Sequence, residues 1–295
     1  MDTKIAFRSK ITGYLILAIW KVANRLSLDA LRWLSEPIGW VYWLASPLTR
    51  QTILDNLEIC FPELPDEQRV RLGRQSLCGT VLGFLEAGKW TFGQSHKATC
   101  SIEGLEHLLK AKARGKGVLL LGLHFNDMIA VVTLLNRHTS VGAMYLRLPN
   151  PILETAVLEG RTRQLRMYER SDVFAIASAL RKGEVIWFAP DQSYRDKQQV
   201  LAPFFGVPVP TLTSLSRFVR ALGVEVVPFF HHRSGNAFQV VFAPPLEGLG
   251  ADELVDATRI NRLVETSIRE RPEAYMWTNW QLSYWRNESA RASTD

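Results

Sequence analysis

The run Gly117-Val-Leu-Leu-Leu-Gly-Leu123 limits the possible folds of this chain more than any other segment. It is too short for a buried helix and has no polar side chain to turn toward water. Such a run is a strand covered on both faces, the situation of parallel sheets whose crossovers are helices. Val141–Leu146, Glu184–Phe188, Val224–Phe230 and Phe238–Phe242 read as further strands. Apolar residues recur at helical spacing over Met128–Asn136, Ile152–Met167, Val173–Lys182, Leu212–Leu222 and Glu253–Arg269. Strand and helix alternating in this way predict an α/β fold, with a mostly parallel central sheet flanked by helices. At 295 residues and 47% apolar content the chain can bury a large core, and disorder, collagen and coiled coil are excluded.

The first fifty residues have a different character. They hold seven Lys or Arg against three Asp or Glu, which is most of the net charge of +6, together with Trp20, Trp33, Trp40 and Trp43. Cations interleaved with indoles are what a membrane interface selects, because an indole has an apolar body and one polar N–H. The apolar runs Ile11–Trp20 and Pro37–Leu48 are each about half the length a spanning helix needs. Residues 1–48 are therefore expected to form a basic, Trp-rich, membrane-associated helical segment, the alternative being two core helices of an ordinary soluble protein. Residues 49–295 would form the α/β domain, with helices at Thr52–Cys60 and Asp66–Trp90 leading into it. The early Lys/Arg excess favours a body on the cytoplasmic side.

Three segments have residue types that do chemistry. In Leu121-Gly-Leu-His-Phe-Asn-Asp127 a strand runs straight into His124 at its carboxyl end, where ligands bind in parallel α/β sheets. A histidine there suits a general base; the alternative is a half-buried ring bonded to a loop carbonyl. In Phe188-Ala-Pro-Asp-Gln-Ser-Tyr194 a second strand end delivers Asp191 and Gln192. The apolar loop Pro203-Phe-Phe-Gly206 then leads to Thr211 and Thr213, which read as helix caps. Gly160-Arg-Thr-Arg163, continued by Arg166 and Arg170, concentrates guanidinium groups that fit phosphate or carboxylate. Arg161, Arg163 and Arg170 are candidates for substrate contact, unless the run is a solvated face pairing with Glu154, Glu159 and Glu169.

Cys60, Cys78 and Cys100 are odd in number and widely spaced, which argues against a disulfide framework or a zinc site and for a reducing compartment. The phosphate-loop, dinucleotide, nucleophile-elbow and zincin signatures are absent, and neither a cofactor nor a metal is expected. The basic residues cluster at one end rather than along a groove, which speaks against nucleic acid as partner.

Taken in order, Asp55-Asn-Leu-Glu-Ile-Cys-Phe-Pro62, Gly122-Leu-His-Phe125, Gly160-Arg-Thr-Arg163, Lys182-Gly-Glu-Val-Ile-Trp-Phe-Ala-Pro-Asp191, Pro203-Phe-Phe-Gly206 and Tyr275-Met-Trp277 resemble the lipid A late acyltransferases. These are the lauroyl/myristoyl transferases of the lysophospholipid acyltransferase superfamily, and the resemblance spans nearly the whole chain. It implies an inner-membrane enzyme facing the cytoplasm. Such an enzyme moves an acyl group from a carrier-protein thioester to a hydroxyl of a phosphorylated glycolipid, a lipid A precursor. In that family a His-x-x-x-x-Asp/Glu motif supplies the base and the carboxylate that orients it. His124 matches the histidine, but the acid position holds Ile129, and the nearest acid is Asp127. On a helix, positions 127 and 129 differ by about 200° and face opposite ways. Three arrangements stay open: a shifted loop that brings Asp127 to His124, a carboxylate from elsewhere with Asp191 foremost, or no partner. The altered motif also admits a divergent aminoacyl (glycyl) transferase using an aminoacyl carrier, or a catalytically silent lipid-binding homologue.

Overall fold

From its amino end the chain forms four helices before any strand: α1 (Asp2–Ala23), α2 (Leu28–Ala45), α3 (Pro47–Cys60) and α4 (Asp66–Phe92). It then alternates through β1 (Thr99–Glu103), α5 (Leu105–Ala113), β2 (Val118–Leu121), α6 (Met128–Leu135), β3 (Gly142–Tyr145) and α7 (Pro151–Thr162). There follow β4 (Arg166–Glu169), α8 (Val173–Arg181), β5 (Val185–Phe188), β6 (Gln199–Phe204), β7 (Val207–Leu212), α9 (Ser214–Leu222), β8 (Glu225–Ser234), β9 (Ala237–Phe242) and α10 (Glu253–Glu270). This computed structural model describes residues 2–92, 98–191, 199–279 and 282, with residues 2–9 and 279 as backbone only.

Seven strands form one sheet in the order β1-β9-β8-β2-β5-β3-β4, parallel at every pairing except β8 with β9. β2 lies at its centre, and all four of its residues are buried, as a strand covered on both faces must be. Its side chains alternate: Leu119 and Leu121 join the cluster that contains Ile176, Phe218, Ile260 and Trp277, while Val118 and Leu120 join Leu108, Val131, Leu134 and Trp90 on the other side. Truncating Leu120 to alanine would cost about 2–5 kcal/mol.

Two segments depart from expectation. The helix predicted over Ile152–Met167 stops at Thr162, and Arg166–Glu169 pairs with β3 as the edge strand β4. Polar contacts draw the chain out of helix there: the Gln164 side chain donates to the carbonyls of Trp90 and Thr91, and Asn136 donates to the Gln164 carbonyl. Pro203–Gly206 is not a loop but the end of a hairpin, in which Phe204 pairs with Val207 around a two-residue turn at Phe205-Gly206. Both turn residues have positive φ, 47° and 76°, the twist that a tight antiparallel hairpin requires. Pro203, Pro208 and Pro210 are tolerated because each strand of a two-stranded ribbon has a free edge. Thr211 accordingly lies in β7 and bonds to Asn261 rather than capping a helix.

Both amino-terminal helices pack on the body. Trp20 is buried and its indole N–H donates to the Phe84 carbonyl of α4, while Leu31 and Trp43 of α2 are also buried. Their opposite faces expose Ile11, Tyr14, Leu15 and Val22 on α1 and Trp33, Trp40, Val41 and Leu44 on α2. No described helix is long and apolar enough to cross a membrane.

Candidate active site

Strand register builds the centre of the site. Leu121 of β2 pairs with Phe188 of β5 and with Pro228 of β8. Three residues beyond each lie His124, Asp191 and His231, so the three side chains reach the same height above the carboxyl edge of the sheet. His124 Nδ1 lies 2.8 Å from Asp191 Oδ1, and the His124 main-chain N–H donates to Oδ2 at 2.9 Å. Asp191 is 2% exposed, and the Tyr275 hydroxyl donates to its carbonyl, which fixes the loop behind Pro190. One carboxylate thus holds both the ring and the backbone of His124. Gly122 is required beneath it, because a Cβ there would stand 2.3 Å from Trp187 Nε1 and 2.6 Å from the Phe229 ring. The Trp187 ring meets His124 edge-on at 5.9 Å.

Asp127 is elsewhere. It stands at the amino end of α6 without capping it, and its Oδ1 lies 2.7 Å from His231 Nε2, both side chains being buried. Of the arrangements left open by the sequence, the structure shows the carboxylate from another strand and not the shifted loop. Burial pushes the Asp127 carboxyl up, but His231, with Arg271 and Arg233 beyond it, outweighs that and holds it at about 2.

The pairing of Nδ1 with Asp191 directs Nε2 of His124 away from the carboxylate, beside a cavity of about 330 Å³ that the ring helps to line with Arg147, Arg161, Arg170 and Leu212. This cavity shares Met128, Tyr145 and Arg161 with an apolar chamber of about 300 Å³, whose walls include Trp20, Phe84, Ile129 and Val157. A vestibule that carries three guanidinium groups among apolar walls therefore adjoins a more apolar interior, and Arg161 belongs to both. Burial pushes its guanidinium down to about 10, with Glu154 pulling partly back, so it remains charged at neutral pH. Its Nε is enclosed and has no hydrogen-bond partner among the described residues. Arg147 pairs with Glu169 at 2.8 Å at the vestibule rim. Arg163, exposed at the carboxyl end of α7, lines neither cavity. Gln192 lies outside the described residues.

Sequence reasoning places His124 and Asp191 at separate strand ends and keeps Asp191 as one of three possible arrangements for the acid, without choosing among them. His231, Arg147 and Trp187 were not singled out. The signal for the pairing was the equal count of three residues from the last core residue of each strand, Leu121 or Phe188, to the polar group.

An imidazole oriented by a buried carboxylate, beside a cation and an apolar chamber, can deprotonate a hydroxyl next to a bound hydrocarbon chain. The profile of the bacterial lipid A biosynthesis acyltransferase family matches residues 1–283. A lipid A biosynthesis acyltransferase of Haemophilus influenzae is 30% identical over 274 residues, 90% of this chain and 88% of its own. The lipid A biosynthesis lauroyltransferase of Escherichia coli is 30% identical over 229 residues, 75% of each chain. The palmitoleoyltransferase of that organism is likewise 30% identical, over 75% of this chain and 74% of its own. The chain belongs to the bacterial lipid A biosynthesis acyltransferase family and is an acyltransferase.

Proposed function

We propose that this acyltransferase moves a fatty acyl group from a carrier-protein thioester to a hydroxyl of a phosphorylated lipid A precursor, at the cytoplasmic face of the inner membrane. The observation that carries the proposal is the His124–Asp191 pair opening onto a vestibule that continues into an apolar chamber. His124 Nε2 takes the proton of the acceptor hydroxyl as its oxygen attacks the thioester carbonyl. Asp191 stabilises the imidazolium that results. The tetrahedral intermediate collapses, the C–S bond breaks, and the imidazolium returns its proton to the departing carrier thiolate. An acyl chain in the apolar chamber places the carbonyl near Arg161, whose charge is suited to the developing oxyanion. Arg147 and Arg170 at the vestibule are suited to a phosphate of the acceptor, and exposed Arg163 to the acidic carrier. Apolar chamber walls favour a hydrocarbon cargo over an aminoacyl one.

The exposed faces of α1 and α2 would rest in the interface, with Lys10, Lys21 and Arg25 toward anionic headgroups. Deleting residues 1–48 would uncover the core residues around Trp20, Leu31 and Trp43, so paired substitution of Trp33 and Trp40 by serine is the cleaner test. It is expected to weaken binding to vesicles of anionic phospholipid while leaving the fold unchanged. Undiminished binding would place the anchor elsewhere.

The decisive experiment incubates the purified protein with a series of acyl-carrier and aminoacyl-carrier thioesters and a lipid A precursor, then reads product mass. A gain in mass of one fatty acyl group is expected, lost in His124→Ala and strongly reduced in Arg161→Lys. A glycyl adduct, or no adduct from any donor, would refute the proposal.

A further inference from the structure

The buried pair on the other side of His124 has no part in the chemistry above. Asp127 is an acid at a helix start, where a carboxylate ordinarily accepts from the first free backbone N–H groups. It does not do so here, and it spends its side chain on His231 across the sheet edge. The two partners are 6% and 4% exposed, so the bond is shielded from water, where a charge-assisted contact is strong.

The two ends of this bond differ in how their backbones are paired. β8 continues past the end of β2, and at this height it is still laddered to β9, His231 pairing with Val240. The Arg271 guanidinium donates to the His231 carbonyl, which secures that strand further. The segment 122–127, by contrast, lies beyond the β2 pairings and keeps one isolated antiparallel bridge, Phe125 with Tyr275. Its backbone is tied by Gly122 N–H to the Phe188 carbonyl, Asn126 N–H to Ala274 and Met276 N–H to the His124 carbonyl. Its remaining ties are side chains. The Phe125 ring sits edge-on to His231 at 5.3 Å and to Tyr275 at 6.1 Å, and Asn126 accepts from the Thr80 hydroxyl. His124 is thus held from one neighbouring strand by Asp191, and three residues later its loop is held to the opposite neighbouring strand by His231.

We propose that Asp127 and His231 are positioning residues: their bond spans β2 from the far side and keeps the loop at the height where His124 Nδ1 meets Asp191. This rests on His124 being the general base. A base displaced by a fraction of an ångström loses rate without losing substrate affinity, because orientation acts on the reacting atoms and not on the bound chain.

The test uses the full chain, the donor and acceptor of the transfer assay, and protein labelled with ¹⁵N-histidine, the His124 ring signal being assigned by its loss in His124→Ala. Asp127→Ala is expected to lower kcat about 10- to 100-fold with KM within about twofold, and to shift the His124 ring signal. Asp127→Asn keeps an oxygen that can accept from the His231 ring and is expected to recover most of that loss. His231→Phe keeps a ring against Phe125 and is expected to match Asp127→Ala, with the double variant no worse than either single. A wild-type kcat and unshifted His124 signal in Asp127→Ala, or in His231→Phe if the alanine variant does not fold, would overturn the proposal. So would a double variant showing the product of the two single losses, because the residues would then act separately. Should wild-type protein transfer nothing, the reading of His124 as a base fails, while the ring signal still reports whether the pair holds the loop.

Discussion

Asp191→Asn removes one charge and leaves the volume almost unchanged, which isolates what the carboxylate does for His124. Nδ1 and Oδ1 are 2.8 Å apart, so the centres of the two delocalised charges stand about 4 Å apart once the hydroxyl proton has moved onto the ring. At an effective dielectric constant of about 20 that attraction is about 4 kcal/mol. It acts on the imidazolium and hardly on the neutral ring, so its loss falls on the transition state and lowers kcat about 10³-fold. A second effect adds to it. The new amide must either turn its NH₂ toward the His124 main-chain N–H, two donors facing each other, or toward Nδ1, which imposes the tautomer whose Nε2 already carries a proton. Either way the base is disabled while the cavity is untouched, so KM should stay within about twofold. The assay is steady-state transfer from a labelled acyl-carrier thioester, alongside a thermal melt to show that the variant is folded. Turnover within tenfold of wild type would refute the idea that Asp191 stabilises a protonated His124.

Glu86, buried on α4, accepts two bonds from the Arg233 guanidinium and one from the Trp90 indole. Glu86→Gln leaves a buried cation without its partner and is expected to cost about 3–5 kcal/mol in chemical denaturation. Ile129→Glu, which restores the spacing of the family motif, is expected to lower transfer at least about tenfold rather than raise it. Nδ1 of His124 is already occupied, and the new carboxylate would enter the apolar chamber that Ile129 lines, as product mass and initial rate would show. Asp127 is held at about 2, below its ordinary 3.8, so it contributes stability that is present above about pH 4 and is lost as pH falls toward 2. The loss amounts to about 2 kcal/mol, and acid titrations of wild type and Asp127→Asn compared by circular dichroism should differ by that much over this window.

The centre of the sheet was legible because its strands carry nothing but core: Val118–Leu121 and Val185–Phe188 have no other way to be buried. Strands at the rim were not. β4 reads Arg-Met-Tyr-Glu, with its charges spaced as on a helix, and its strand character comes from distant partners such as the Tyr168 hydroxyl donating to Glu184. The β6–β7 hairpin hides behind three prolines and a Phe-Gly turn in place of the usual Asn-Gly, so every local signal pointed to a loop. Two glycines on α4 went unread for a similar reason. A Cβ at Gly79 would meet the Asn126 amide at 2.6 Å, and one at Gly83 the Asn126 carbonyl at 2.1 Å, so these positions exist to let the His124 loop lie on the helix.

The site shows why a motif written as a spacing along one segment can lose its acid and keep its geometry. Partners of the His124 loop are set by height on the sheet, and a strand beside β2 whose chain runs three residues past the pairing with Leu121 can supply one. The chain after β5 supplies Asp191, which binds His124, and β8 supplies His231, which binds Asp127. Asp127 and Ile129, separated by about 200° around the start of α6, then go opposite ways, as helical geometry requires. Asp127 turns to β8 and Ile129 to the apolar chamber. With the orienting carboxylate coming from β5, the first turn of α6 does not have to present an acid. The position is then open to a hydrocarbon side chain, which forms part of the apolar chamber wall.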